Sequence, residues 1–430
     1  MQKFSMKFAI IVLCLFSATV AKSQTDNGFK PDSLCLKLDS AEHIFLQKNL
    51  LLLAQRYNID AQKALVIQAK LYPNPNFSLG TTLYQTSTKQ FFPVGSNGEI
   101  AAGISQVILL ANKYNKQIKI ARTNAQLSEC QFSDLLRTLK QTLRTDYFNI
   151  YYLLQSAKVY NTEIAALQQV TQAFAEQNGK GYVSEVEVVR IKAQLYSLQS
   201  EYNDLKAQIN AAQSDLRLLL QVKNVFIVPV VDTTAVAALN PAKYPLAVII
   251  DSAYASRPDL QIAKLNTTLS VQNYSLQRSM AVPDVTLQLG YDQQGSYINN
   301  LTTLGFNIDL PFFNRNQGNI KSAKAMIKYN QATQDAAQSQ IEEQIYSTLQ
   351  TAYENDKLLK SRDVSFEKNF SRLLGEVLKN YKTRNISLLD FLDFYDSFKD
   401  NTLQINYISF NRVSAFINLN AYTGIDFFKH

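Results

Sequence analysis

Ser387 and Asp390 stand three residues apart, as do Ser184 and Glu187, and Asp393 follows Asp390 by three more. A hydroxyl followed three residues on by a carboxylate has the form of a capping box. The hydroxyl accepts an early helix N–H and the acid reaches back to the cap's own N–H. Asp390 and Asp393 fall on one helical face. What these residues can do is place charge at helix starts, not break bonds. His43 and His430 are the only histidines, and no Cys/His cluster, Gly-rich phosphate loop or nucleophile-elbow sequence is present. An enzyme is therefore the poorest reading, and neither a cofactor nor a metal site is legible.

Each capping pair opens an apolar helical pattern and closes a much longer one, so each marks the tight turn of a helical hairpin. From about 112 to 174 neither Pro nor Gly appears. Apolar residues there recur in steps of three and four, which predicts one helix of roughly 60 residues, about 90–100 Å long. After Gly179–Gly181, the run from Val188 through Ile191, Leu195, Leu198 and Tyr202 to Leu219 keeps the 3.5-residue period of a coiled-coil seam. A second such helix is expected from about Arg315 to Tyr381, and a last one to about Ala421.

The two turns lie 203 residues apart, Ser184 to Ser387, while Gly103, Asn112, Ile118 and Ala121 match Gly305, Asn314, Ile320 and Ala323 at an offset of 202. One unit is written twice. Each copy begins with a helix that Asp39, then Asn58 or Asp60, or Arg257-Pro258-Asp259-Leu260 can start. Each is broken by proline (Pro75, Pro283) and continues into two extended runs: 76–84 and 100–109, then 284–292 and 301–310. The later pair alternates cleanly, with Val285, Leu287, Leu289 and Tyr291 opposite Thr286, Gln288 and Gly290. The expected division is a signal peptide at 1–23, a first repeat at 24–221, an irregular connector at 222–245 and a second repeat at 246–430.

Lys3 and Lys7, an apolar core from Phe8 to Val20, and Ala21-Lys22-Ser23 have the form of a secretory signal. Cys14 follows Leu13 rather than a small residue, a poor lipidation signal. Cys35 and Cys130 alone predict no disulfide framework. The net charge of +8 falls to about +5 without residues 1–23. No basic run or Arg-rich face suggests nucleic acid. No later segment is apolar enough to span a bilayer as a helix, so any membrane this exported chain crosses must be crossed by strands. Four strands cannot close a barrel, and open edges in lipid cost several kcal/mol per unpaired group. Pooled strands from at least two chains are the physical solution. An exported coiled-coil scaffold or adhesin with no pore is the alternative.

Over Leu36 to Gly424 the chain resembles the TolC-type outer-membrane efflux channels. The resemblance rests on Pro73-Asn74-Pro75, Arg257-Pro258-Asp259-Leu260, the Tyr381 and Asp390-Phe391-Leu392-Asp393 tip, and the duplicated order of elements. It implies a mainly α fold with a small β part. It further implies a homotrimer whose twelve strands form one barrel in the outer membrane of a Gram-negative bacterium, above a periplasmic α-helical barrel of twelve helices that tapers to a closed end. Passive conduction would be energised by an inner-membrane pump of RND or ABC type through a periplasmic adaptor. Asp390 and Asp393 match the acids that ring the closed end, and Tyr381 and Glu187 match a tip latch. Arg384 stands where the family commonly has Gly and is placed with the latch. Gly181, Val183, Ser184, Ile386 and Ser387 fall in the turns that would meet the adaptor. The wording Glu187-Val188-Val189-Arg190 and Leu388-Leu389-Asp390 is closer to the branch serving metal-ion pumps, beside drugs and polypeptides as other cargo.

Overall fold

The computed structural model describes residues 32–95, 98–293, 299–362, 376, 379–380 and 385–429. The expected signal peptide, Tyr381 and Arg384 lie outside the described residues.

A short strand β1 (Asp32–Lys37) leads into α1 (Leu38–Lys48) and α2 (Leu50–Ala69). Asp39 sits in the first turn of α1 rather than at its cap, which is Lys37. The break between the two helices falls at Asn49, earlier than the expected 56–60. Asn49 Oδ1 accepts from the Leu51 and Leu52 N–H groups at 3.0 and 3.1 Å, and its amide donates to Leu219 O at 3.1 Å. A buried cap thus interrupts an apolar run that reads as continuous helix.

After the Pro73–Pro75 break come β2 (Asn76–Thr81), a two-residue ladder of β3 (Tyr84–Gln85) with β4 (Gln90–Phe91), and β5 (Ile100–Ile108). The long helix α3 (Lys113–Asn178) has 66 residues and turns into α4 (Glu185–Leu220). The region read as an irregular connector holds β6 (Val225–Val230) and α5 (Thr233–Ala237). Next come α6 (Leu246–Ser256), α7 (Pro258–Met280), β7 (Val285–Gln293), β8 (Leu301–Ile308), α8 (Gln317–Lys360) and α9 (Leu388–Thr423). Pro258 takes the first position of α7, where its missing N–H costs nothing.

Asn112 and Asn316 each cap a long helix in the left-handed conformation, and each accepts from an Asn three residues on. Equivalent helix starts are therefore 204 residues apart, not the 202 read from matching residues.

Helix α3 is the spine, with α2, α4, α7 and α9 all packed on it. Parallel pairing of β1 with β6 closes a small sheet at mid-length. Tyr147 of α3 reaches both strands, its hydroxyl lying 2.9 Å from Leu36 O and 2.8 Å from Val230 O. Around that level Phe45, Leu52, Phe148, Ile150, Leu216 and Ile227 form one core. A second core joins Ile249, Leu260, Ile341, Ile345 and Phe416. At its margin Arg412, 2% exposed, donates to Asp356 Oδ1 at 2.8 Å and to the carbonyls of Val236 and Leu239 at 2.9 and 2.5 Å. That one guanidinium ties α9 to α8 and to the segment around α5.

Candidate functional site

Strands β2, β5, β7 and β8 form one antiparallel sheet in the order β2-β5-β7-β8. They have six, nine, nine and eight residues, two of them shorter than the nine or ten expected. Because side chains alternate, the register sorts residues onto two faces. On one lie Phe77, Ile104, Leu289 and Leu304 in a row across all four strands, flanked by Leu287, Tyr291 and Phe306. On the other lie Ser78, Gly103, Gly290 and Thr303, with Gln288, Gly305 and Asn307 beside them. The apolar face is left bare: Leu304 is 74% and Phe306 76% exposed. Large apolar side chains on one side and small polar ones on the other describe a wall between lipid and water. Aromatic residues stand at both ends of the band. Tyr72, stacked on Tyr114 at 4.5 Å, and exposed Phe312 and Phe313 are at the helix end, and Tyr84 lies 4.8 Å from Phe91 at the far end. Among the described residues no helix is long and apolar enough to cross a membrane.

At the opposite end of the long helices are the two turns. Gly181 has φ +74 with nothing near its missing Cβ, as the tight turn from α3 to α4 requires. Both capping boxes form. Glu187 Oε2 accepts from the Ser184 N–H at 3.0 Å, and Asp390 Oδ2 from the Ser387 N–H at 3.3 Å. The hydroxyls of Ser184 and Ser387 accept from the N–H groups of Glu187 and Asp390 in return. Both acids thus neutralise the positive end of the helix they open.

Leu388, Phe391, Leu392 and Tyr395 of α9 bury themselves against Leu167 and Val170 of α3 and Ile191 and Leu195 of α4. The start of α9 therefore lies in the α3–α4 seam. A cavity of about 270 Å3 is lined by Tyr182, Val183, Glu187, Ile386 and Ser387 together with α3 residues, so the two turns share one pocket. Asp390 and Asp393 project away from this packing and are both exposed. Asp393 is outside the capping box.

A protein-family model described as outer membrane efflux protein matches residues 43–221 and 249–424. The chain belongs to the outer membrane efflux protein family. It is 21% identical over 288 residues to the cobalt-zinc-cadmium resistance protein CzcC of Cupriavidus metallidurans, spanning 67% of this chain and 66%, just under two thirds, of that protein. Solved structures share the fold at 16% identity. CusC, whose crystal structures concern conformational changes accompanying folding and transmembrane channel formation, gives a TM-score of 0.74 over 90% of this chain and 92% of its own. The Campylobacter jejuni CmeC outer membrane channel gives 0.73 over 91% and 86%, and the Vibrio cholerae outer membrane protein VceC 0.69 over 91% and 96%.

As a member of the outer membrane efflux protein family, the protein belongs to the outer membrane and is a transport protein rather than an enzyme. An outer-membrane location leads us to expect that its bare apolar face meets lipid. Leu289→Arg or Phe306→Arg is expected to cost about 2–4 kcal/mol per copy where it meets the bilayer midplane, whereas Gln288→Arg, on the other face, stays near wild type. Denaturant unfolding from lipid vesicles measures both. Equal losses on the two faces would overturn the assignment.

The outer membrane efflux fold here also carries a feature that pattern reading passed over. Between the tip cluster and the next apolar cluster, which includes Tyr160, Leu198 and Leu205, the α3–α4–α9 seam is interrupted by one charged layer. Lys399 of α9, 7% exposed, meets Glu201 Oε2 at 3.0 Å, with Asp396 and Asp400 at 3.8 and 3.6 Å. Gln194 donates to both oxygens of Asp396 at 2.9 and 3.1 Å. The Tyr395 hydroxyl donates to Glu163 O at 3.1 Å. Glu163 itself is 1% exposed and neither of its carboxylate oxygens meets a donor among the described residues. Burial pushes its carboxyl up to about 8, with Lys399 opposing and Asp396, Asp400 and Glu201 adding to the rise. The signal was in the sequence: Glu163 sits three residues after Tyr160 and four before Leu167, a seam position occupied by an acid.

Proposed function

We propose that the protein is the outer-membrane channel of a tripartite efflux system, conducting its cargo passively from a periplasmic adaptor and an inner-membrane pump of RND or ABC type to the outside. The observation that carries this is the four-stranded sheet with one bare apolar face, held at one end of a 66-residue helix. Among the described residues β2 and β8 each pair on one side only. A homotrimer would satisfy those edges by joining β8 of one copy to β2 of the next, giving twelve strands and a continuous helical tunnel below. At about 1.5 Å per residue, α3 alone reaches roughly 100 Å towards the inner membrane.

In this reading Asp390 and Asp393 of three copies ring the closed end. Glu187, with Tyr381 and Arg384, belongs to the latch. Gly181, Val183, Ser184, Ile386 and Ser387, in or beside the two turns, meet the adaptor. The chain divides into 24–221 and 246–430, joined through 222–245. The likeness to CzcC, named for cobalt-zinc-cadmium resistance, favours divalent metal cations as cargo over drugs and polypeptides. The cargo itself is set by the pump. Purified protein reconstituted in a planar lipid bilayer tests the proposal. Discrete conductance steps are expected, and the competing scaffold or adhesin would give none.

A further inference from the structure

Helix α9 carries the acids proposed to ring the pore, and in the α3–α4 seam the apolar packing of its first turns gives way to a layer of charged side chains. At that level, six residues along α9 from Asp393 and so about 9 Å along the axis, sit Glu163, Glu201, Asp396, Asp400 and Lys399. The titratable groups facing Glu163 come from all three helices: Tyr160 of α3, Glu201 of α4, and Tyr395, Asp396, Lys399 and Asp400 of α9. Among the described residues one cation serves four carboxyls. Glu201, Asp396 and Asp400 lie within 4 Å of it, while Glu163 forms no such pair and is fully enclosed.

An unpaired carboxylate at a nearly dry site is expensive, and beside three more acids it is more so. The neutral acid has no such cost. We propose that Glu163 is a proton-binding site that locks α9 into the α3–α4 seam, so that loss of its proton loosens the tip. The assignment of the tip as a pore constriction rests on the proposed channel; the proton lock itself is a property of the three-helix seam.

The sign follows from where the proton is held. In the packed seam the carboxyl keeps its proton up to about pH 8, whereas exposed to water it returns towards the ordinary 4.5. Between these values the packed state binds one more proton than the loosened state. Each unit of rising pH in that window favours loosening by up to about tenfold per copy, and the effect levels off above it. Acid closes and alkali opens.

Hydrogen exchange over 388–403 in the full-length protein tests this, comparing wild type with Glu163→Gln at pH 5.5 and 8.0. Corrected for intrinsic chemical exchange, wild-type protection is expected to fall about tenfold or more at the higher pH. Glu163→Gln, a neutral isostere of the protonated acid, is expected to stay protected at both. Equal pH dependence in the two proteins, or none in wild type, overturns the proposal. Bilayer conductance on the same proteins separates the underlying reading. Absence of current at any pH removes the channel while hydrogen exchange still decides the lock. In a conducting channel, current that rises with pH in wild type and is flat in Glu163→Gln supports both.

Discussion

Removing the acids at the start of α9 should relieve cation block of the channel. In the Asp390→Ala/Asp393→Ala double variant, the trivalent-cation concentration needed for half block in a planar bilayer is expected to rise about tenfold or more, because a constriction lined with carboxylates binds cations in proportion to its charge. The structure separates the two residues. Asp390 Oδ2 is committed to the backbone N–H and hydroxyl of Ser387, at 3.3 and 2.6 Å, so its replacement also loses about 1 kcal/mol of helix start. Asp393 is exposed and takes no part in the cap. Asp393→Ala alone should therefore change block without changing stability, which makes it the cleaner reagent. Unchanged block in the double variant would leave both acids as surface charges at a helix start and nothing more.

The largest stability effect is expected at Arg412. Among the described residues, truncation to Ala leaves Asp356, whose side chain is 9% exposed, with Lys360 alone at 2.7 Å, and strips the donors from the carbonyls of Val236 and Leu239. Breaking a buried pair on one side costs about 3–5 kcal/mol, since the partner stays buried and uncompensated. Arg412→Lys keeps the charge but cannot reach three acceptors in a planar fork, so an intermediate loss is expected. The denaturant midpoint of detergent-solubilised protein, at an unchanged slope, measures each. A loss below about 1 kcal/mol for Arg412→Ala would mean that the pair contributes no more than a surface ion pair.

Much of this architecture could be read from spacing. The long Pro- and Gly-free runs, the two capping boxes, the proline breaks and the duplicated order all have local causes, and local causes survive into the fold. Leu287, Leu289 and Tyr291 declared their face by alternation alone. β5 did not, because Ala102 and Gly103 differ in size but not in polarity, and only pairing with Tyr291 and Gly290 assigns them to opposite faces. β1 and β6 escaped notice for a different reason. Val225–Val230 is uniformly apolar and contains Pro229, a pattern that argues against a central strand, yet among the described residues β6 pairs with β1 alone and can leave that proline on its free edge. Asn49 hid inside an apolar stretch because a buried cap looks like an ordinary polar residue until the backbone N–H groups that donate to it are seen. Glu163 and Lys399 are 236 residues apart in sequence, and no local pattern joins them.

The sheet's two ends are different strands, β2 and β8, so in the proposed homotrimer neighbours would meet head to tail and each copy would have to offer one of each. A copy damaged along β8 alone still presents a sound β2 and still occupies a healthy neighbour. In a cell making both kinds, the impaired chains would be incorporated rather than excluded. The defect would then spread beyond their own number, giving a dominant phenotype from a recessive-looking lesion.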